Sequence, residues 1–284
     1  MDAEFPKRIV CLTEETTETL YLLGQEHRIV GVSGYTARPP EARQKPKVSA
    51  FINAKFDKIL ELEPDLVLAF SDLQGEIVRE LMIRGLTVMA FNQRSIAEIE
   101  QMMMLLARIT GVAEKGVALV SRLEGDLRAI AQSASRFPWR PRVFFEEWND
   151  PLISGIRWVD ELIGIAGGQP VFPELRQGRA ANDRMVDPGE AAARNPEVVI
   201  ASWCGRKVNK DAIRARPGWS EVAAVTANRI YEIKSTYILQ PGPASLTEGV
   251  RQLHAILAHA AGVAIPAELA PAERTDPDLS GGTA

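Results

Sequence analysis

Short apolar runs alternate with amphipathic helical stretches along most of the chain. The first half has four such runs, at residues 9–12, 29–32, 66–70 and 88–91. The second half has three, at residues 143–145, 198–201 and 230–233. Continuous apolar runs separated by helices are typical of parallel strands that are buried on both faces. The pattern therefore predicts an α/β protein with a parallel sheet in each half.

The two halves repeat one order of elements. The run that begins at Arg8, with the acidic loop and helix after it, returns in the run that begins at Arg142. The segment at residues 60–70 likewise returns at residues 192–202. We therefore expect two similar Rossmann-like lobes with a ligand-binding cleft between them.

A long helix is predicted between the two halves. Residues 113–135 contain no proline, and their apolar positions are spaced by threes and fours. About 20 helical residues span about 30 Å, which is long enough to join two lobes. The tail is rich in Pro, Asp, Glu and Gly, a composition typical of disorder. The predicted organisation is an N-terminal lobe at 1–111, a single bridging helix at 112–136, a C-terminal lobe at 137–263 and a disordered tail at 264–284.

Composition and charge exclude several classes of protein. The 284 residues are 46% hydrophobic, enough for a core without disulfides or metals. The formal charge is -4 and the basic residues are dispersed, which argues against nucleic acid binding. Cys11 and Cys204 fall in different halves, so we expect free thiols. No apolar run approaches the ~20 residues that cross a bilayer, and no export signal is visible, so the sequence as written predicts a cytoplasmic protein unless a signal was removed.

Ligands of open parallel sheets bind beyond the carboxyl ends of the strands, so polar residues after the apolar runs are candidate ligand contacts. In the first half these candidates are Glu14, Glu15, Ser71, Asp72, Asn92 and Arg94. In the second half they are Glu146, Glu147, Trp148, Arg157, Trp203, Cys204, Lys234, Tyr237 and Gln240. Trp148 and Trp203 follow strands in polar loops, where a core role is hard to satisfy. Arg157 opens a helix, where it can face the cleft or pair with Asp160.

The carboxylates among these candidates indicate which chemical class of ligand the cleft can bind. Burying a carboxylate without a partner costs several kcal/mol, so these acids must meet a cation, donor-rich ligand groups or one another. The alternative is that some of them, Glu14 and Glu15 above all, cap the helices that follow. The acids favour a polar, hydroxylated or amine-bearing ligand.

Seven pieces of the chain carry a family resemblance, and they lie at residues 8–13, 30–33, 47–49, 58–67, 85–88, 142–144 and 217–219. With them in this order, residues 8–262 resemble the cobalamin- and iron–siderophore-type substrate-binding components of ABC importers. The resemblance implies two Rossmann-like lobes joined by one long helix. It also implies a ligand such as cobalamin or a ferric siderophore, an ABC permease with its ATPase as partner, a monomer, and no resident cofactor or metal.

The resemblance implies roles for three residues. Glu76 and Glu221 match the acidic residues that dock onto arginines of the permease; otherwise they are ordinary helix-start glutamates. Phe51 matches the aromatic residue that stacks on the ligand in cobalamin binders; otherwise it is a core residue.

Catalytic chemistry has little support in the sequence. His27, His254 and His259 do not follow predicted strands, and Cys204 has no histidine nearby. No glycine-rich phosphate-binding motif is present. We therefore expect a substrate-binding protein without enzymatic activity. The alternative is a cytosolic ligand-trafficking protein or a chelatase-like enzyme on the same scaffold, which the missing export signal favours and the missing cleft histidine opposes.

Overall fold

The structure is a computed structural model that describes residues 6–272. The chain divides into two units. Within the described residues, unit 1 comprises the chain up to residue 93, residues 97–122 and residues 241–243. Unit 2 comprises residues 94–96, residues 123–240 and the chain from residue 244.

Unit 1 is built on a six-stranded sheet. Its strands are β1 (Ile9–Cys11), β2 (Ile29–Ser33), β3 (Lys47–Ala50), β4 (Asn53–Ala54), β5 (Leu66–Phe70) and β6 (Val88–Phe91). Their order is β4-β3-β2-β1-β5-β6, and every neighbouring pair is parallel except the β3–β4 hairpin. The loops after β1, β2, β3, β5 and β6 therefore meet at one edge of the sheet, which we call the carboxyl edge of unit 1.

Helices cover the unit 1 sheet because its central strands are apolar throughout. The helices are α1 (Glu14–Leu22), α2 (Phe56–Glu61), α3 (Gly75–Ile83) and α4 (Ile96–Ile109), and α5 (Ala113–Ala134) continues from unit 1 into unit 2. All residues of β1 and β5 are buried, as a strand between two helical layers requires. One core cluster joins Val10 and Val67 of these strands to Ile59 of α2 and Leu81 of α3.

Unit 2 is built on a five-stranded sheet. Its strands are β7 (Arg142–Asn149), β8 (Leu152–Ser154), β9 (Gln169–Pro170), β10 (Val198–Ala201) and β11 (Ile230–Glu232). Their order is β11-β10-β7-β8, with β9 also paired to β7. Only the β7–β8 pair is antiparallel among these pairs. The loops after β10 and β11 and the end of β7 therefore share the carboxyl edge of unit 2.

The helices of unit 2 pack around an aromatic core. They are α6 (Arg157–Ala166), α7 (Pro188–Ala193), α8 (Lys210–Arg214), α9 (Ala223–Thr226), α10 (Ser235–Ile238) and α11 (Val250–Ala261), the last preceded by a π-helical turn at Ser245–Gly249. Phe144 packs edge-on against Phe172 and Trp219. Buried His254 joins three elements, because its ring nitrogens contact Ala166 O and Ser133 Oγ at 3.0 Å each. This histidine is a packing residue of unit 2.

The first residues of the predicted disordered tail are ordered in the structure. Residues 264–272 pack against α11, where buried Leu269 supplies an apolar anchor. Arg251 Nη1 donates to Glu268 O at 2.8 Å, and Ala272 N donates to Glu248 Oε2 at 2.9 Å. The rest of that predicted tail, residues 273–284, lies outside the described residues. Within residues 6–272, no helix is both long and apolar enough to cross a bilayer.

Candidate functional site

Three large apolar side chains are exposed at the carboxyl edge of unit 1. Tyr35 follows β2, Ile52 lies in the β3–β4 turn and Leu73 follows β5, and their exposed fractions are 60, 61 and 62%. We call these three residues the apolar edge. Exposed apolar groups that gather at one place on a surface mark binding sites more often than chance exposure does. None of the three was among the sequence candidates, because only polar residues after predicted strands were chosen and β3, which precedes Ile52, was not predicted.

The candidate Phe51 lies beside the apolar edge. It is half-buried, and its φ of +36° places it in the left-handed region that bulky residues rarely adopt. Gln74 Nε2 donates to Phe51 O at 2.7 Å, and Gln74 Oε1 accepts from Phe70 N at 3.0 Å. The turn that carries Phe51 and Ile52 is therefore held against the segment that carries Leu73.

Glu14 and Glu15 lie in the first turn of α1 and are buried. Thr13 Oγ1 donates to Glu15 Oε1. Burial and then the nearby Glu14 carboxylate raise the pKa of Glu15 to about 8, and burial also raises the pKa of Glu14. Gly242 packs directly on Glu15, since a Cβ at that position would lie 2.5 Å from Glu15 Cβ. Glu15 is therefore mostly protonated at neutral pH and adds little negative charge to this edge.

The remaining candidates from the first half of the sequence follow β5 or β6. Ser71 Oγ accepts from Leu73 N at 3.2 Å and donates to Asp72 Oδ1 at 3.0 Å. Asp72 and Asn92 are exposed, and Glu76 is exposed in the first turn of α3. Arg94, half-buried, follows β6 but belongs to unit 2.

Glu146 is fully buried within β7, where it pairs with Ala201 at the end of β10, and it is neutralised by the protein itself. Arg216 Nη1 and Nη2 donate to its two carboxylate oxygens at 2.7 Å each, and Trp203 Nε1 donates to Oε1 at 3.0 Å. Burial raises the pKa of Glu146, and the Arg216 and Trp203 hydrogen bonds oppose that rise. A bidentate pair of this kind fixes both side chains, and because Glu146 is 0% exposed its carboxylate is not accessible to a ligand.

Glu147 is held in the same way by a second arginine, which is buried. Both guanidinium Nη atoms of Arg184 donate to its carboxylate, and Nη1 also donates to Ser154 O at 2.6 Å. Arg184 is only 2% exposed. The sequence left open whether Glu146 and Glu147 pair with a cation, with the ligand or with each other. In the structure each pairs with an arginine of the protein, so neither acid favours an amine-bearing ligand.

The two tryptophan candidates differ in burial. Trp203 is only 5% exposed and belongs to the core of unit 2, because Glu146 satisfies its indole N–H inside the protein. Trp203 does lie in the loop after β10, but the expectation that a core role is hard to satisfy there is wrong. Trp148 lies within β7 and is half-buried, with Nε1 donating to Asp150 O at 2.9 Å. The guanidinium of Arg206 lies over the Trp148 ring, 5.5 Å from its centroid.

Cations dominate the loops at the carboxyl edge of unit 2. Arg206 and Lys207 after β10 are exposed, as are Cys204 beside them and Lys234 after β11. Tyr237 and Gln240 are half-buried, and Glu221 is exposed in the loop before α9. Arg157 pairs with Glu161 at 2.8 Å one helical turn away, not with the Asp160 that its spacing suggested. Within residues 6–272, no group of three or more His, Cys, Asp and Glu side chains is placed to hold a metal ion.

Comparisons with known proteins agree on one family. Residues 9–237 match the family described as "Periplasmic binding protein". An uncharacterized ABC transporter substrate-binding lipoprotein of Bacillus subtilis, YvrC, is 28% identical over 87% of this chain and 79% of its own length. A vitamin B12-binding protein of Vibrio parahaemolyticus is 25% identical over 84% of this chain and 86% of its own length. The periplasmic heme-binding protein RhuT of Roseiflexus sp. RS-1 has a similar fold, with a TM-score of 0.77, 23% identity, and coverage of 90% of this chain and 99% of its own.

Proposed function

Because the chain belongs to the periplasmic binding protein family and is the substrate-binding component of an ABC importer, not an enzyme, we propose that its ligand is cobalamin. The observation that carries this proposal is the apolar edge of unit 1. Tyr35, Ile52 and Leu73 offer a large ligand three exposed apolar groups at the ends of parallel strands of one sheet. Small-molecule sites combine such apolar surface with a few polar groups that fix orientation.

Two further features support a corrin-sized ligand. The relative from Vibrio parahaemolyticus is named for vitamin B12 binding and aligns over most of both chains. Phe51 and Trp148 add aromatic area in positions that are neither fully buried nor fully exposed. We propose that the polar contacts to the ligand come from the remaining accessible candidates, which are Ser71, Asp72, Asn92, Arg94, Cys204, Lys234, Tyr237 and Gln240.

Truncating the apolar edge tests the proposal. The double variant Ile52→Ala/Leu73→Ala is expected to weaken binding of cyanocobalamin at least tenfold, because each lost side chain removes apolar area worth about 1.5–3 kcal/mol when fully buried. Isothermal titration calorimetry measures the dissociation constant without interference from the absorbance of the ligand. Thermal unfolding of the variant is expected to stay close to that of the wild type, since both side chains are exposed.

Unit 1 offers a matched control for this experiment. Met82 and Ile83 at the end of α3 are 61 and 64% exposed, but they lie at the opposite edge of the sheet from the strand ends. Met82→Ala/Ile83→Ala removes similar apolar area and is expected to bind cyanocobalamin like the wild type. Equal losses in the two double variants, or no binding by the wild type, would refute the proposed site.

The cations of unit 2 support a second candidate ligand, an anionic iron chelate. Arg206, Lys207 and Lys234 are exposed, whereas Glu146 and Glu147 are neutralised by Arg216 and Arg184. Carboxylate or catecholate groups of a ferric siderophore, or the propionates of haem, would complement that charge. Tighter binding of a ferric catecholate or of haemin than of cyanocobalamin, in the same calorimeter, would favour this second ligand class.

We also propose that Glu76 and Glu221 dock onto arginines of the permease. Both are exposed. Glu76→Arg/Glu221→Arg is expected to reduce ligand uptake by cells about tenfold or more, because like charges facing each other across an interface cost several kcal/mol. Ligand affinity of the purified variant should be unchanged. Glu61→Arg, at the opposite end of the unit 1 strands, is the control and should transport normally.

The proposed setting follows from the family. A periplasmic binding protein captures its ligand outside the cytoplasmic membrane, so we propose that location for this chain and propose that it acts as a monomer. Membrane fractionation and light scattering of the purified protein test the two statements. Recovery of the native protein in the cytoplasm would favour the alternative function, a cytosolic ligand-trafficking protein.

A further inference from the structure

Gln74 is a fully buried polar residue that joins two distant strand ends of unit 1. It ends the short helical turn Asp72–Gln74 after β5 and leads into α3. Its amide oxygen accepts from Phe70, the last residue of β5, and its amide nitrogen donates to Phe51, just after β3. β1 and β2 lie between those two strands in the sheet. The amide orientation is fixed by its partners, since the Phe70 N–H needs an acceptor and the Phe51 carbonyl needs a donor.

Both segments that Gln74 contacts hold a strained residue. Phe51 has a φ of +36° and Ser71 a φ of +74°. Gln74 N also donates to Ser71 O at 3.1 Å, so this one residue contacts both strained positions. Strained residues other than glycine persist only where their surroundings hold them, and they concentrate at ligand sites. Each strained residue lies within two residues of a member of the apolar edge, Ile52 or Leu73.

We propose that Gln74 is a positioning residue that sets ligand affinity by holding the Phe51–Ile52 turn beside the Ser71–Leu73 segment. This inference rests on the proposed function, in which the apolar edge contacts the ligand. Gln74 acts through its two backbone partners and does not itself touch the ligand, because it is completely buried. The Gln74 amide links the β3–β4 turn to the end of β5 through its hydrogen bonds to Phe51 O and Phe70 N.

Two substitutions separate this role from general stability. Gln74→Leu removes both side-chain hydrogen bonds and is expected to weaken cyanocobalamin binding about tenfold at every pH from about 5.5 to 8. Gln74→Glu has a pH-dependent outcome. The ionised carboxylate can accept from Phe70 N but has no proton for Phe51 O, whereas the protonated carboxyl makes both bonds. Burial favours the protonated form. We therefore expect Gln74→Glu to bind about tenfold weaker than wild type at pH 8 and within about twofold of it at pH 5.5.

Gln25 provides the matched control. It is also buried, its Nε2 donates to Gly24 O at 2.9 Å and its Oε1 accepts from Arg28 Nε at 2.7 Å, but it precedes β2 and so lies at the opposite edge of the sheet. Gln25→Leu is expected to lower thermal stability and leave the dissociation constant unchanged. A Gln74→Leu variant that binds like wild type while Ile52→Ala/Leu73→Ala binds weakly would overturn the positioning role and leave the proposed function intact.

Hydrogen exchange gives a readout that needs no ligand. In Gln74→Leu, amides of the β3–β4 hairpin at residues 50–55 are expected to exchange faster than in wild type at every pH. In Gln74→Glu they should do so at pH 8 and not at pH 5.5, each compared with wild type at the same pH. If wild type does not bind cyanocobalamin, the ligand proposal falls and this exchange pattern alone decides whether Gln74 holds the turn. Unchanged exchange in Gln74→Leu would overturn the inference.

Discussion

Replacing Arg216 with methionine is expected to lower the free energy of unfolding by about 3–5 kcal/mol, because it leaves a buried carboxylate without its cation. Glu146 is 0% exposed, and Arg216 donates to both of its oxygens at 2.7 Å. After the substitution, the Trp203 indole is the only side-chain donor among the described contacts of that carboxylate. Methionine keeps the length and flexibility of the side chain, so the effect reports mainly the lost charge and hydrogen bonds. Urea unfolding at pH 7 measures the difference.

Two further variants test the cause of that loss. Glu146→Leu/Arg216→Met removes both charges, and it is expected to be more stable than Arg216→Met alone because no buried charge remains unpaired. Arg214→Met breaks the exposed pair with Asp211 on α8 and is expected to cost less than about 1 kcal/mol. If Arg216→Met costs no more than Arg214→Met, the Glu146–Arg216 pair does not stabilise unit 2.

The prediction of the fold was confirmed most closely where a strand is one continuous apolar run. β5, β6 and β10 begin and end at the predicted residues, because continuous apolar runs between polar loops leave little choice of boundary. Apolar residues spaced three and four positions apart also predicted α5, which runs from Ala113 to Ala134. Four short strands, β3, β4, β8 and β9, were missed. β4 and β9 have two residues each, and their pairing depends on the hairpin or neighbour beside them.

The candidate site was less predictable because its contacts are long-range. The rule that ligands bind at strand ends selected which residues to inspect, but it could not say which acids among them were already paired. Glu146 and Arg216 are 70 residues apart, and Glu147 and Arg184 are 37 apart. Nothing in the local sequence of either acid marks its partner. The same limit explains Trp203, whose polar neighbours suggested exposure while a distant carboxylate satisfied its indole N–H.

Raising the pH from 5 to 8 is expected to lower the free energy of unfolding, because Glu15 ionises in this range. The variant Glu15→Gln is expected to lack that part of the loss. The pKa of Glu15 is raised by burial from 4.5 to about 8 in the folded protein. The folded state therefore holds a proton that the unfolded state has released, and stability falls as pH rises through this interval. A shift of about 3.5 units corresponds to about 4–5 kcal/mol, present in full below pH ~4.5 and lost by pH ~8.

Unfolding in urea at pH 5, 6.5 and 8 measures this dependence as the difference between wild type and Glu15→Gln. The glutamine keeps the shape and cannot ionise, so the variant is expected to become more stable than wild type as the pH approaches 8. Burial also raises the pKa of Asp160 in unit 2 to about 7, so Asp160→Asn is measured in parallel to separate the two carboxyls. Both variants are compared with Glu61→Gln, an exposed change on α2 that should follow wild type.

A difference between wild type and Glu15→Gln that stays constant with pH would show that Glu15 ionises in the folded protein at its ordinary pKa. In that case the carboxyl edge of unit 1 would carry a negative charge at neutral pH, which would favour a cationic ligand over cobalamin.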